Sequence, residues 1–189
     1  MKAIETLVGE HKMILKFLDN LLKAAEQIKL NQGPPREFFE AAVDFARSYA
    51  DKHHHFKEEY TMFRMLAQKH NGALDAQIEK NRQQHEQCRN LIQKISESLS
   101  GYKNKLESST ETLQRSVVEY VNTLRSHIQS ESEVFFPMAK KALSPSEDSD
   151  LLKEFAKYEK KAGGHVKEVY IKRVAEMSAM LQHSQRVSG

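Results

Sequence analysis

Apolar residues step along this chain by threes and fours in four long runs, the spacing that gives an α-helix one buried face. The first run predicts a helix from about Lys2 to Leu30, with Ile4, Leu7, Ile14, Leu18, Leu21 and Ala25 inward. Asn31-Gln32-Gly33-Pro34-Pro35 stops it, with glycine as terminator and proline able to start the next helix. The second run extends from about Pro35 to His70 and places Val43, Ala46, Ala50, Met62 and Met65 on one face. Asn71-Gly72 is a turn signal. The third carries Leu74, Ile78, Asn81, His85, Cys88, Ile92, Ile95 and Leu99, and a polar stretch from Ser100 to Ser109 ends it. The fourth shows Leu113, Val117, Tyr120, Leu124, His127, Glu131, Val134 and Met138, with Pro137 expected to bend it near its end. Ser144-Pro145-Ser146 then sets off two shorter helices between Glu147 and about Gln182, divided by Gly163-Gly164, with a frayed tail from His183 to Gly189.

Long helices with short connections predict an all-α fold, an up-down-up-down four-helix bundle over residues 1–142. Residues 143–189 form a C-terminal helical extension packed outside the bundle or across one end.

Six ionisable residues interrupt the apolar stripes: His11, His54, Glu58, His85, His127 and Glu131. Unpaired in an apolar interior, each would cost several kcal/mol, so something must satisfy them. His54 and Glu58 stand four apart, as do His127 and Glu131, and residues four apart share a helix face. The halves of the chain also repeat: His54-x3-Glu58-x4-Phe63 matches His127-x3-Glu131-x4-Phe136. Ligands at equal height on antiparallel helices should have their connecting turn midway between them. The midpoint of His11 and His54 falls inside Asn31 to Pro35, that of Glu58 and His85 on Asn71-Gly72, and that of His85 and His127 inside the polar stretch after helix three. The six side chains should therefore meet in one layer. Four imidazoles and two carboxylates suit a pair of first-row metal ions with the carboxylates able to bridge, and exceed what one tetrahedral structural zinc uses. Asn81 and Tyr120, polar residues on the same faces, are candidates for the surrounding hydrogen bonds or the pocket lining.

Composition narrows the setting. A net charge of +3 with no basic block gives no footprint for nucleic acid. No stretch approaches the length of a membrane span. The lone Cys88 excludes an internal disulfide and fits a reducing compartment, and the N-terminus opens without an apolar leader, so the cytoplasm is the expected location.

Glu10-His11, the run His54-His55-Phe56-Lys57-Glu58-Glu59, His85-Glu86-Gln87-Cys88-Arg89 and His127-Ile128-Gln129-Ser130-Glu131 before Val134-Phe135-Phe136-Pro137 resemble the hemerythrin-like (HHE cation-binding) family over residues 1 to 142. The resemblance implies a four-helix bundle around a non-haem di-iron centre. Its two irons would be bridged by Glu58, Glu131 and an oxo or hydroxo group, with His11, His54, His85 and His127 as terminal ligands. Manganese or zinc remains an alternative to iron. The sequence departs from the oxygen carriers of that family, which have a fifth histidine four residues from the other on helix three. Here Asn81 and Arg89 stand four away from His85, leaving one iron with fewer nitrogen ligands. The second carboxylate is a Glu where oxygen carriers use Asp one residue further on.

The remaining histidines have plainer readings. His53 and His55 should be solvated on other faces of helix two, and His70, His165 and His183 should lie at the surface. Met62, Met65 and Phe63 read as core, Cys88 as a small buried hydrophobe. The Glu58-Glu59 and Lys140-Lys141 pairs need only solvation, apart from Glu58. Three functions stay open: binding of O2 or NO for storage, sensing or scavenging; an enzyme that decomposes peroxide or consumes NO; and an iron-handling or regulatory module. The partner is a small diatomic ligand or peroxide, and the oligomeric state, monomer or homodimer, is undetermined.

Overall fold

The computed structural model describes residues 1–67 and 69–187; the side chains of His70 and of residues 183–187 fall outside that description. Every element among them is helical. The first is α1, Lys2–Lys29, ended by Asn31 in the left-handed region (φ 56°). The second long run comprises α2 (Arg36–Phe45), a π-helical stretch over Ala46–His55, another over Glu58–Met62, and α3 (Phe63–Leu66). A short 3-10 turn, Lys69–Gly72, follows, so the run ends at Leu66 and not at His70. Next come α4 (Asp75–Lys103) and α5 (Glu107–Ser130), continued by a π-helical turn over Glu131–Phe135 and α6 (Phe136–Ala142).

The π turns decide which residues face inward. A π turn bonds i to i+5, so one more residue fits into the turn and the inner stripe slips by one. After Glu131 the buried positions are Phe135, Phe136, Ala139 and Leu143, while Val134, expected inside, is 44% exposed. Pro137 lies just past this turn, in the first turn of α6, where a missing N–H is tolerated.

The core is split into two apolar clusters. One contains Phe17, Phe45, Tyr49, Tyr120 and Leu124. The other contains Leu7, Met62, Phe63, Leu66, Phe135 and Phe136. The layer of ionisable residues lies between them, held by π-helical backbone in helix two and at the end of α5.

The C-terminal segments are α7 (Pro145–Lys161) and α8 (Val166–Val187), separated by Gly163 and Gly164 at positive φ. The helix continues to Val187, past the point where fraying was expected at His183; residues 188 and 189 lie outside the described residues. The two run one after the other along α1, in the same direction. Asp148 accepts from the N–H groups of Lys2 and Ala3 at 3.0 Å each, thereby capping α1. Further along, Asn20 donates to the Val174 carbonyl and Gln27 to that of Leu181, each at 3.1 Å. Leu151 and Phe155 join one core cluster, Val174, Met177 and Leu181 the other. The segment is thus an arm laid along the flank of the bundle. Among the described residues no helix is long and apolar enough to cross a membrane.

Candidate metal centre

All six side chains singled out by spacing reach the middle layer, at 0–2% exposure. They form two groups. His11, His54, Glu58 and Glu131 offer ligand atoms within 4.8 Å of one another, and so do His55, Glu58, His85 and His127. Glu58 belongs to both.

The histidine tautomers follow from the groups behind each ring. His85 Nδ1 donates to Glu59 Oε1 at 2.7 Å, and His127 Nδ1 donates to Gln84 Oε1 at 3.2 Å. With Gln84 presenting its oxygen, both protons are assigned to the outer nitrogens, which leaves the two Nε2 atoms facing each other at 3.1 Å. In the other group His54 Nδ1 donates to Glu10 Oε2 at 2.8 Å, so its Nε2 also points inward, 2.9 Å from His11 Nε2. The carboxylates close the layer: Glu58 lies 3.6 Å from His54 Nε2 through Oε1 and 3.4 Å from His85 Nε2 through Oε2. Glu131 Oε2 lies 3.2 Å from His11 Nε2 and 3.3 Å from His127 Nε2. Asn81 donates to the remaining Glu131 oxygen at 3.0 Å. Tyr120 instead lines the neighbouring cavity.

Electrostatics point the same way. Burial drives the imidazoles toward neutrality, holding His11 at a pKa of about 3 and His54 at about 4, with His85 and His127 also well below the usual value. Burial, then repulsion from Glu131, raises Glu58 well above the ordinary carboxylate range, and burial lifts Glu131 to about 7. Both Glu58 oxygens, Glu131 Oε2 and both His55 nitrogens lack hydrogen-bond partners. Unpartnered carboxylate oxygens and inward imidazole nitrogens around a common centre are the donor set a metal cation would complete, in place of the protons that burial keeps on the carboxyls. The residues fit the group that the family resemblance implies.

The structure corrects three expectations. His55 is not solvated: it is 2% exposed, and its ring lies on His85 with centroids 3.8 Å apart. The π-helical backbone turns less per residue than an α-helix, which brings adjacent His54 and His55 to the inner side together. The cluster therefore holds five imidazoles, His55 among those that could hold a metal. His53 is not solvated either, at 5% exposure, because the arm covers that face of helix two. Glu59 is only 13% exposed and serves His85 and Arg89. Glu10 and Lys57 enter the sequence reading only as part of motif runs, with no role of their own, and Gln84 does not enter it. The available signal was that each inward-facing histidine needs an acceptor behind it, and Glu10 and Glu59 each adjoin a stripe position. His165 is exposed as expected, and Cys88 is buried, its thiol pushed up to about 12 by burial.

A cavity of about 220 Å3 opens between helix two and α4, lined among others by His55, His85, Cys88, Arg89 and Tyr120. It brings the surface to the edge of the histidine cluster.

No curated protein and no solved structure matches the chain. Against sequence models of known families, residues 2–139 match the hemerythrin HHE cation-binding domain, a span that includes every side chain of the buried His/Glu layer. The chain belongs to that family.

Proposed function

We propose that this chain binds two iron ions in the buried layer and uses them to bind O2 or NO. His11 and His54 would hold one ion and His55, His85 and His127 the other, with Glu58 and Glu131 supplying carboxylate oxygens to the pair. The observation that carries the reading is the His85–His127 pair, whose bare Nε2 atoms meet at 3.1 Å with both protons held on the far side. Two lone pairs repel at that distance unless a cation lies between them, and imidazole with carboxylate suits iron among the first-row ions. The metal pair would supply the reducible centre; the protein's part is to hold the lone pairs inward, exclude bulk water and admit a small ligand. The uneven donor count, two imidazoles against three, leaves the His11/His54 side with more room for an external ligand. A reducing cytoplasm would keep the centre in its ligand-binding state.

The test has two stages. Elemental analysis of the native chain should give about two irons, lost in a His54→Ala/His127→Ala variant. One zinc, or iron unaffected by the substitutions, would sink the assignment. Rapid mixing of the reduced protein with O2 or NO should then give a bound spectrum; immediate irreversible oxidation would exclude carriage of O2.

A second reading, turnover of peroxide or NO, is favoured by the cavity beside His55 and His85. Its volume exceeds the roughly 30 Å3 of one water several-fold, and Cys88 and Tyr120 bring an S–H and an O–H to its wall, both kept protonated by burial. Peroxide consumption no faster than that of a Glu58→Gln variant would remove this reading.

A further inference from the structure

Lys57 is a fully buried lysine one residue from Glu58, and the metal layer makes no direct use of it. Its ammonium has three N–H donors and three partners: Glu10 Oε1, Glu159 Oε1 at 2.8 Å, and His53 Nε2 at 3.0 Å, which accepts when the His53 proton is on Nδ1. Glu10 and Lys57 belong to the bundle, whereas Glu159 comes from α7, beyond the residues that match the family. The other oxygen of Glu10 is the acceptor behind His54. A continuous polar chain therefore runs Glu159–Lys57–Glu10–His54, from the arm to the edge of the histidine layer.

The arm grips the same place through further contacts. Tyr158 donates to the Lys52 carbonyl within the π-helical stretch and stacks on Phe56 with centroids 4.2 Å apart. Packing alone would not call for a lysine at 57. A buried ammonium forfeits its hydration, and an apolar side chain would seal the interface at lower cost. The other histidine group is supported differently. Behind His85, Glu59 is held by Arg89 at 2.7 Å, and both residues lie within the bundle. Through hydrogen bonds the arm thus reaches one group and not the other.

We propose that the C-terminal arm is a positioning device for His54: Glu159 anchors Lys57, Lys57 holds Glu10, and Glu10 fixes the ring plane of His54 with its Nε2 inward. Whatever lifts the arm then loosens the His11/His54 side and leaves the His85/His127 side untouched. The consequence for metal rests on the two-ion reading above; the positioning itself does not.

The experiment uses the full chain in four forms: native, Glu159→Gln, Lys57→Met, and Glu154→Gln as a control on the same helix, where Glu154 pairs with Lys157 at the surface. In the metal-free chains, long-range 1H–15N NMR reads the tautomer and order of each imidazole. The expected result is a single Nδ1–H form of His54 in native and control, mixed or broadened in the other two, with His85 and His127 unchanged in all. In the iron-loaded chains, one of two equivalents should pass to a ferrous chelator about tenfold faster in Glu159→Gln, with the second at the native rate. An unchanged His54 signal, or equal acceleration of both equivalents, overturns the proposal. Should the native chain take up no iron, the metal reading fails and the NMR comparison still decides the positioning. Glu159 is 43% exposed, so the Glu159→Gln comparison stands even where Lys57→Met does not fold.

Discussion

The His55 ring lies almost flat on that of His85, centroids 3.8 Å apart and planes 13° from parallel, and neither His55 nitrogen has a hydrogen-bond partner. Stacking and Asp51 Oδ1, 3.6 Å from Nδ1, fix where the ring is; Nε2 has no such partner among the described residues and could serve a metal. His55→Phe separates these roles, since it keeps a stacked ring and removes both nitrogens. Relief of the unsatisfied Nε2, worth about 1–3 kcal/mol, offsets the lost Asp51 contact and should leave the metal-free variant melting no lower than the native chain. Metal affinity on the His85/His127 side should fall by more than about tenfold, read by equilibrium dialysis with elemental analysis. Two metals retained at native affinity would reduce His55 to packing.

Glu58 makes the metal-free chain less stable than it need be. Its carboxylate is fully buried, both oxygens lack partners, and Glu131 faces it. In Glu58→Gln an amide N–H can donate to Glu131 Oε2 at any pH, whereas the Glu58 carboxyl can do so only while burial and Glu131 keep it protonated. The metal-free variant should be more stable by about 1–3 kcal/mol, equivalent to a melting temperature higher by several degrees in a chain this long. Addition of ferrous iron should reverse the order, stabilising native protein and leaving the variant unmoved. If the metal-free variant melted lower, Glu58 would be a structural group and not a site group.

The convergence of six residues in one layer was legible because helical periodicity is rigid: a residue that breaks an apolar stripe must still point inward. Turn signals at Gly33, Asn71 and Gly72 then fixed relative heights. His55 was not legible, because a period of 3.6 puts consecutive residues about 100° apart, and nothing in Ala46–His55 announces a π-helical stretch. The same backbone choice moved the inward position from Val134 to Phe135. The burial of His53 and Lys57 was hidden for another reason. It is made by α7, whose placement along α1 depends on Asp148, Glu159 and Tyr158, charged or polar residues outside any stripe.

Gly101, near the end of α4, marks a close helix crossing. A Cβ there would meet Ser109 Oγ at 1.9 Å and Ser109 Cβ at 2.4 Å. Alanine at an open helical site would stabilise by up to about 1 kcal/mol, and this clash decides the sign instead. Gly101→Ala should cost about 1–3 kcal/mol in urea unfolding, and adding Ser109→Gly should restore most of it. A neutral or stabilising Gly101→Ala would mean the α4–α5 turn gives way easily.

Glu147 ties the start of the arm to the bundle. It forms a capping box with Ser144 at the N-terminus of α7 and pairs with Lys69 across the bundle end. The pairing with Lys69, then the hydrogen bonds from Ser144, hold its carboxyl at about 2, against an ordinary value of 4.5. A depressed carboxylate means that the unfolded chain binds more protons as the pH falls. Its stabilisation is therefore complete above about pH 4.5 and is lost progressively toward pH 2. Both partners are partly solvated, so solvent screening limits the Lys69 pairing, and the whole contribution is about 1 kcal/mol, the size of a capping interaction. Glu147→Gln should lower the unfolding free energy by that amount in urea at pH 7. At pH 3 the gap between variant and native should be visibly smaller. An equal gap at both values would assign the effect to cap geometry alone, with no part for the carboxylate charge.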